Sequence, residues 1–192
     1  MDETSKALHA HAREPQPPRA AAGEQPARPA REDYEYIRNG TANLFLWFEP
    51  LAGKRGVQAT EQRTRKDWAE LIRELADVHY PAAEQIVLVM DNLNTHTLGS
   101  LYEAFPPEEA RRLAEKLEIH YTPKHGSWLN MAEIELSVLA RQCLGQRLPS
   151  RAELAREVAA WAADRNARAA QMQWRFTTAD ARIKLKHLYP TL

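Results

Sequence analysis

Ile86-Val-Leu-Val-Met-Asp91-Asn92 is the stretch that decides the fold. Five apolar residues, three of them β-branched, run straight into an acid. A short all-apolar run reads as a strand covered on both faces, as in the middle of an α/β sheet. Pro81 stands before it and the polar Asn92-Leu-Asn-Thr-His96 follows it, so the strand is expected to end near Met90. Asp91 then sits at the carboxyl end of a central strand, where open α/β sheets place their ligands. An acid there either ligates something or caps the following loop through local side-chain hydrogen bonds. The run alone leaves both readings open.

Downstream, Leu98 to Phe105 and Glu108 to Leu117 read as helices separated by Pro106-Pro107, and Glu118 to Thr122 as a short strand stopped by Pro123. Asn130 is a good N-cap for a helix from Met131 to about Cys143, with Glu133 three residues later. A further helix follows Pro149-Ser150, Trp174-Arg-Phe176 reads as extended, and Thr178 is the expected cap of a last helix through Leu185. Upstream, Thr64 and Asp67 form a capping box for a helix carrying Trp68, Leu71, Ile72 and Leu75. Before it, Asn43 to Phe48 and Val57 to Glu61 form an antiparallel hairpin. Asn39-Gly40 signals a tight turn, and residues 8–33, rich in Pro and Ala, form an irregular connector. The order, a hairpin followed by βα alternation, predicts a mixed α/β sheet with flanking helices.

Lys plus Arg equals Asp plus Glu, 26 against 26, so the whole chain carries no nucleic-acid signal. The balance is uneven: Leu136 to Leu192 holds ten Lys/Arg and four Asp/Glu, a local excess of six. Such a region either follows a phosphate backbone or forms a solvated helix face. A single cysteine, Cys143, excludes an internal disulfide, and no Cys/His spacing resembles a zinc site. No apolar run reaches the ~20 residues of a membrane span, and the amino terminus is not a signal peptide, so the expectation is a soluble cytoplasmic protein.

Asp2, Asp91 and Glu133 are the acids a sheet can gather, with 41 residues between the last two. Hard divalent ions prefer a few carboxylates plus water and substrate phosphate. A pair of such ions activates an attacking oxygen and stabilises a leaving one. Spacing alone is weak support for this among 26 acids, and Asn130-Met-Ala-Glu133 is also a capping-box pattern in which the glutamate serves only its helix. His96 and His125 are candidate phosphate or metal contacts, or ordinary loop histidines.

The local words go further. Val-Met-Asp91-Asn92-Leu-Asn-Thr-His96 resembles the Asp-Asn-x-x-x-His segment of mariner-like transposases. Tyr121-Thr-Pro-Lys-His-Gly-Ser-Trp-Leu-Asn130-Met-Ala-Glu133 resembles their Tyr-Ser-Pro…Leu-Asn-Pro-Ile-Glu segment, with Met-Ala standing where many relatives have Pro-Ile. Asp2-Glu-Thr-Ser resembles the segment that carries their first catalytic aspartate. The chain is thus similar to the catalytic half of bacterial insertion-sequence transposases of this superfamily, the IS-six-thirty group.

That resemblance implies a ribonuclease-H-like fold and a two-metal site for Mg²⁺ or Mn²⁺ formed by Asp2, Asp91 and Glu133. It implies DNA cleavage at transposon ends, strand transfer into target DNA, and a homo-oligomeric active form. DNA contacts are expected from Asn92, His96, Lys124, His125, Arg182, Lys184 and Lys186. Residues 1–148 are expected to form the catalytic domain and 149–192 a helical extension of it. Relatives carry helix-turn-helix modules and a central strand ahead of the first aspartate, so this sequence reads as the downstream part of a transposase lacking its first strand. Two other readings stand beside it: an inactive remnant that only binds DNA or an intact transposase, and an α/β domain whose acids are only caps.

Overall fold

The structure is a computed structural model and describes residues 1–22, 25–123, 126–184 and 186. Three antiparallel strands, β1 (Asp2–His11), β2 (Tyr36–Glu49) and β3 (Lys54–Thr60), hydrogen-bond in the order β1-β2-β3. Two parallel strands, β4 (Ile86–Met90) and β5 (Leu117–Tyr121), form a second ladder. One bond joins the ladders, from the Met1 amino group to the Val89 carbonyl at 2.7 Å. It places β4 beside the start of β1, giving the spatial order β3-β2-β1-β4-β5 of a ribonuclease-H-like mixed sheet. The helices are α1 (Arg65–Glu74), α2 (Leu98–Ala104), α3 (Pro107–Glu115), α4 (Met131–Gln142), α5 (Arg151–Ala167) and α6 (Thr178–Lys184). None of the described helices is long and apolar enough to cross a membrane.

The strand buried on both faces is β2. Its period-2 alternation sends Phe45 and Trp47 into one core with Trp68, Leu71 and Ile72 of α1, Leu101 of α2 and Leu113 of α3. Ala42, Leu44 and Leu46 face the opposite core, with Leu139 of α4 and Leu154, Val158 and Trp161 of α5. This makes three layers, helices on either side of a sheet. The expectation that β4 is covered on both faces is corrected: Leu88 and Met90 are buried, but Val87 is 62 % exposed and Val89 42 %. An apolar run of five cannot distinguish a doubly covered strand from one whose second face is left open.

Two further expectations are revised at the amino end. A ten-residue strand starts at Asp2, so a first strand is present and Asp2 opens it. Leu8 to His11 belong to that strand, with Leu8 buried, so the irregular connector begins only at residue 12. Isolated bridges Gln16↔Arg31, Arg19↔Arg28 and Ala22↔Gln25 carry the β1–β2 ribbon outward into it. Asn39-Gly40 is a bulge inside β2, not a turn. The register passes from Ala7↔Thr41 to His9↔Arg38, setting Asn39 and Gly40 against Leu8, with Gly40 at φ 88°.

At α1, α4 and α5 the helix signals act as read, whereas at α6 the cap is Thr177 and not Thr178: Thr177 Oγ1 accepts from the Asp180 amide at 3.2 Å. Thr64 Oγ1 accepts from the Asp67 amide and Asp67 answers on the Thr64 amide at 2.7 Å, closing the capping box of α1. Asn130 caps α4 by accepting from the Ala132 amide at 3.1 Å, and Ser150 caps α5.

Candidate active site

Three elements deliver the acids. Asp2 opens β1, Asp91 follows the last residue of β4, and Glu133 lies in the first turn of α4. The Met1–Val89 bond sets the first two strands side by side. The start of α4 is tied to the same point, because buried Asn130 donates from Nδ2 to the Met1 carbonyl at 2.8 Å. The result is one cleft of about 470 Å³ lined by Asp2, Asp91 and Glu133 together with Glu3, Thr4, Arg63, Leu93 and Leu136.

The capping-box alternative for Glu133 is not realised. Asn130 makes its cap through Ala132, and the Glu133 carboxylate forms no hydrogen bond or ion pair with the described residues. Glu135 occupies the other side of the helix, about 200° around. It is buried against Arg55, with Nε 2.7 Å from Oε1, and against Arg165 at 2.8 Å. Arg55 also donates to Gly53, Asn166 and Ala170, so α4, α5 and β3 are pinned together behind the cleft.

Burial pushes the Asp2 carboxyl up to about 6, and the neighbouring charges of Asp91 and Glu133 add to the rise, against a bond from the Glu3 amide. Arg63, the fixed cation among the described lining residues, lies half-exposed at the rim, 3.7 Å from Glu3. The cleft therefore concentrates negative charge that burial and proximity both oppose.

His96 is not a DNA contact: its side chain is fully buried. Nδ1 stands 2.8 Å from Asp91 Oδ1 and Nε2 stands 2.5 Å from Glu3 Oε2. Both approaches are off the line of an N–H hydrogen bond, while Nδ1 also reaches the Asp91 carbonyl at 3.3 Å. Burial disfavours the imidazolium, but Glu3 and Asp91 outweigh it and raise the His96 pKa. The imidazole thus stands between Asp91 and Glu3, backing Asp91 from the buried side. The Asp-Asn-x-x-x-His pattern pointed to this histidine but not to its inward orientation. Five residues of loop are enough to fold it back under the acid.

Asn92 is exposed beside Asp91. Arg182, Lys184 and Lys186 are exposed, the first two on α6. Lys184 Nζ lies 4.8 Å from the centre of the Trp128 ring, which sets α6 against the turn that leads into α4. Lys124 and His125 lie outside the described residues. The carboxyl-terminal basic excess is partly consumed internally: Arg165 pairs with Glu135, and Arg147 donates to the carbonyls of Asp33 and Glu35. Sequence reasoning missed Glu3 and Arg63. Glu3 follows Asp2 directly in β1, and its buried carboxylate meets His96 Nε2, but no strand was expected there. Arg63 carried no local signal.

Among the described residues, no three acid or imidazole side chains already stand at metal-ligating distance. The donor set still fits a hard divalent cation, because it offers three carboxylates, no sulfur, and crowded like charge that a cation would relieve.

A mixed sheet with acids from two adjacent central strands and a following helix defines a nuclease-type architecture. The family model described as DDE superfamily endonuclease matches residues 1–155, and the chain belongs to that family. Among solved structures, the Mos1 mariner paired end complex with Mn is similar over 88 % of this chain and 51 % of that chain, at 15 % identity and TM-score 0.49. The chain thus spans about half the length of that solved chain. No curated protein matches it by sequence.

Proposed function

We propose that the chain is the catalytic domain of an insertion-sequence transposase, and that Asp2, Asp91 and Glu133 hold divalent metal for cleavage and strand transfer of DNA. The observation that carries this reading is the convergence of these three acids on one cleft, where Asp2 is held up near 6 by burial and by its two partners. Mg²⁺ or Mn²⁺ bound there would activate the attacking oxygen and stabilise the leaving one in phosphodiester chemistry.

Each residue has a task that follows from its placement. Asp91 is oriented by His96, whose far nitrogen is anchored on Glu3. Glu133 projects from the first helical turn, where the helix dipole favours negative charge, and the buried Glu135–Arg55 pair fixes the rotation of that helix. Arg63 at the rim offers a guanidinium to a phosphate of the incoming strand. Residues 149–192 act as a helical extension of the catalytic domain of residues 1–148, and exposed Arg182, Lys184 and Lys186 follow the DNA backbone. The active form is a homo-oligomer on paired transposon ends.

The test is Mn²⁺ binding by titration calorimetry, together with Mn²⁺-dependent nicking of DNA by a chain that carries its DNA-binding modules. Asp91→Asn and Glu133→Gln are expected to lose both signals while remaining folded. Unchanged metal binding or nicking in both variants would overturn the reading.

A further inference from the structure

A row of aromatic rings lies outside the catalytic cleft, on the segment that joins α5 to α6. From Ala170 to Thr177 the chain belongs to no helix or sheet. Its near end is held at the β2–β3 turn, where the Met172 amide donates to the Pro50 carbonyl at 3.2 Å. Its far end reaches the turn Ser127–Leu129, which leads into α4 and Glu133. Between these anchors the side chains alternate as in an extended strand: Met172, Trp174 and Phe176 are half-buried, and Gln173, Arg175 and Thr177 are exposed. The amides of Gln173 to Phe176 donate to no described residue. Phe176 is the middle ring of the row. It meets Trp128 with 5.0 Å between ring centres and Trp174 with 6.0 Å, both edge to face. Lys184 closes the Trp128 end, with Nζ 4.8 Å from that ring centre. Trp174 is the open end, since it meets one ring and no cation among the described residues.

We propose that this segment binds an unpaired DNA strand, with Trp174 stacking on a base while Arg175 and the free amides take its phosphates. Three properties select that ligand. A half-buried indole at the end of a row is held rigidly and offers a flat apolar surface, and every base has a face to match it. Exposed Arg175 and Arg182 flank the ring with positive charge, which suits a polyanion and would leave an apolar peptide with nothing to offer them. Unbonded amides are ready donors to phosphate oxygens. In a duplex the bases are stacked on one another and present no face to an indole, so the strand is single. The row abuts the turn into α4, so a strand held there is one that cleavage would release. For that origin the assignment rests on the DNA-cleaving function proposed above.

The experiment measures fluorescence anisotropy of two labelled ligands without divalent metal: a thymidine oligomer, and the same sugar–phosphate chain without bases. The absence of metal separates the outcome from the fate of the carboxylate site. The parent chain is expected to bind the thymidine oligomer about tenfold or more tightly than the abasic one. Trp174→Leu is expected to lose most of that preference, and Trp174→Phe to keep most of it. The ratio of two affinities on one chain is unaffected by any fraction that fails to fold. Arg175→Gln is expected to weaken both ligands alike and to lower the salt slope by about 0.7. A parent chain that binds both ligands equally would overturn the proposal, leaving a phosphate surface only. So would a Trp174→Leu chain that keeps the parent preference.

Discussion

Arg55 Nε lies 2.7 Å from Glu135 Oε1, and both side chains are shielded from water. A charge in that setting tolerates loss of its partner poorly. Removing one member of a buried pair costs about 3–5 kcal/mol, because the other is left uncompensated. Glu135→Gln is therefore expected to destabilise the fold by an amount in that range by urea denaturation. Arg165 keeps its partly exposed side chain near the site and offsets none of this, since it too carries positive charge.

Glu133→Gln is the contrasting change. It removes one of three crowded carboxylates and breaks no internal bond among the described residues. The expected outcome is unchanged or slightly higher stability without metal, and loss of the stabilisation that Mn²⁺ gives the parent chain. Thermal melts with and without Mn²⁺ read both quantities. A Glu133→Gln chain that melts early without metal would show that the residue is structural.

His96 supports Asp91 from behind, so its loss is expected to loosen the metal site without removing a ligand. Partners that orient metal-binding side chains typically cost 10–100-fold in affinity when removed. His96→Ala is expected to weaken Mn²⁺ binding by about that factor, and His96→Asn to recover part of it by keeping a donor toward Asp91. Electron paramagnetic resonance of free Mn²⁺ measures the affinity directly. Equal affinities in the parent and His96→Ala would remove the histidine from this role.

Much of this was legible because the signals were local. The capping pairs at Thr64 and Asn130, the β4 run into Asp91, and the spacing to Glu133 each need only a few residues of sequence. The errors were non-local. Nothing within Asp2 to Lys6 announces a strand, since its apolar support comes from β2 across the ladder. Asn39-Gly40 has the composition of a turn, but Leu8 on the neighbouring strand makes it a bulge. The Arg55–Glu135 pair joins residues 80 positions apart (135 − 55) and has no signature in either segment.

The basic surface gives a prediction about DNA. Arg182, Lys184 and Lys186 are exposed at the carboxyl end, beside the turn that leads to Glu133. Each phosphate contact contributes about 0.9 to the slope of log affinity against log salt. Replacing all three with Gln is expected to lower that slope by up to about 2.7 in fluorescence-anisotropy titrations on duplex DNA. An unchanged slope would make α6 a solvated face.

Asp2 sets the dependence on pH. Its carboxyl titrates near 6 in the fold against an ordinary 3.8, because burial, then Asp91 and Glu133, disfavour the charge. A raised acid pKa means the folded state binds the proton more tightly than the unfolded chain does. The contribution is fully present below about 3.8 and is lost as pH rises through about 6, so above that the metal-free fold carries a penalty from ionised Asp2. Asp2→Asn removes the charge and is expected to be more stable than the parent near pH 7.5 without metal, the difference vanishing as pH falls toward the ordinary carboxylate range. A divalent cation relieves the same repulsion, but below pH 6 it must first displace the proton. Mg²⁺ is therefore expected to raise the parent melting temperature more at pH 7.5 than at pH 5, and to have little effect on Asp2→Asn at either pH. Melts at the two pH values with and without Mg²⁺ decide it, and a larger Mg²⁺ effect at pH 5 would reverse the assigned order of proton and metal at this carboxylate.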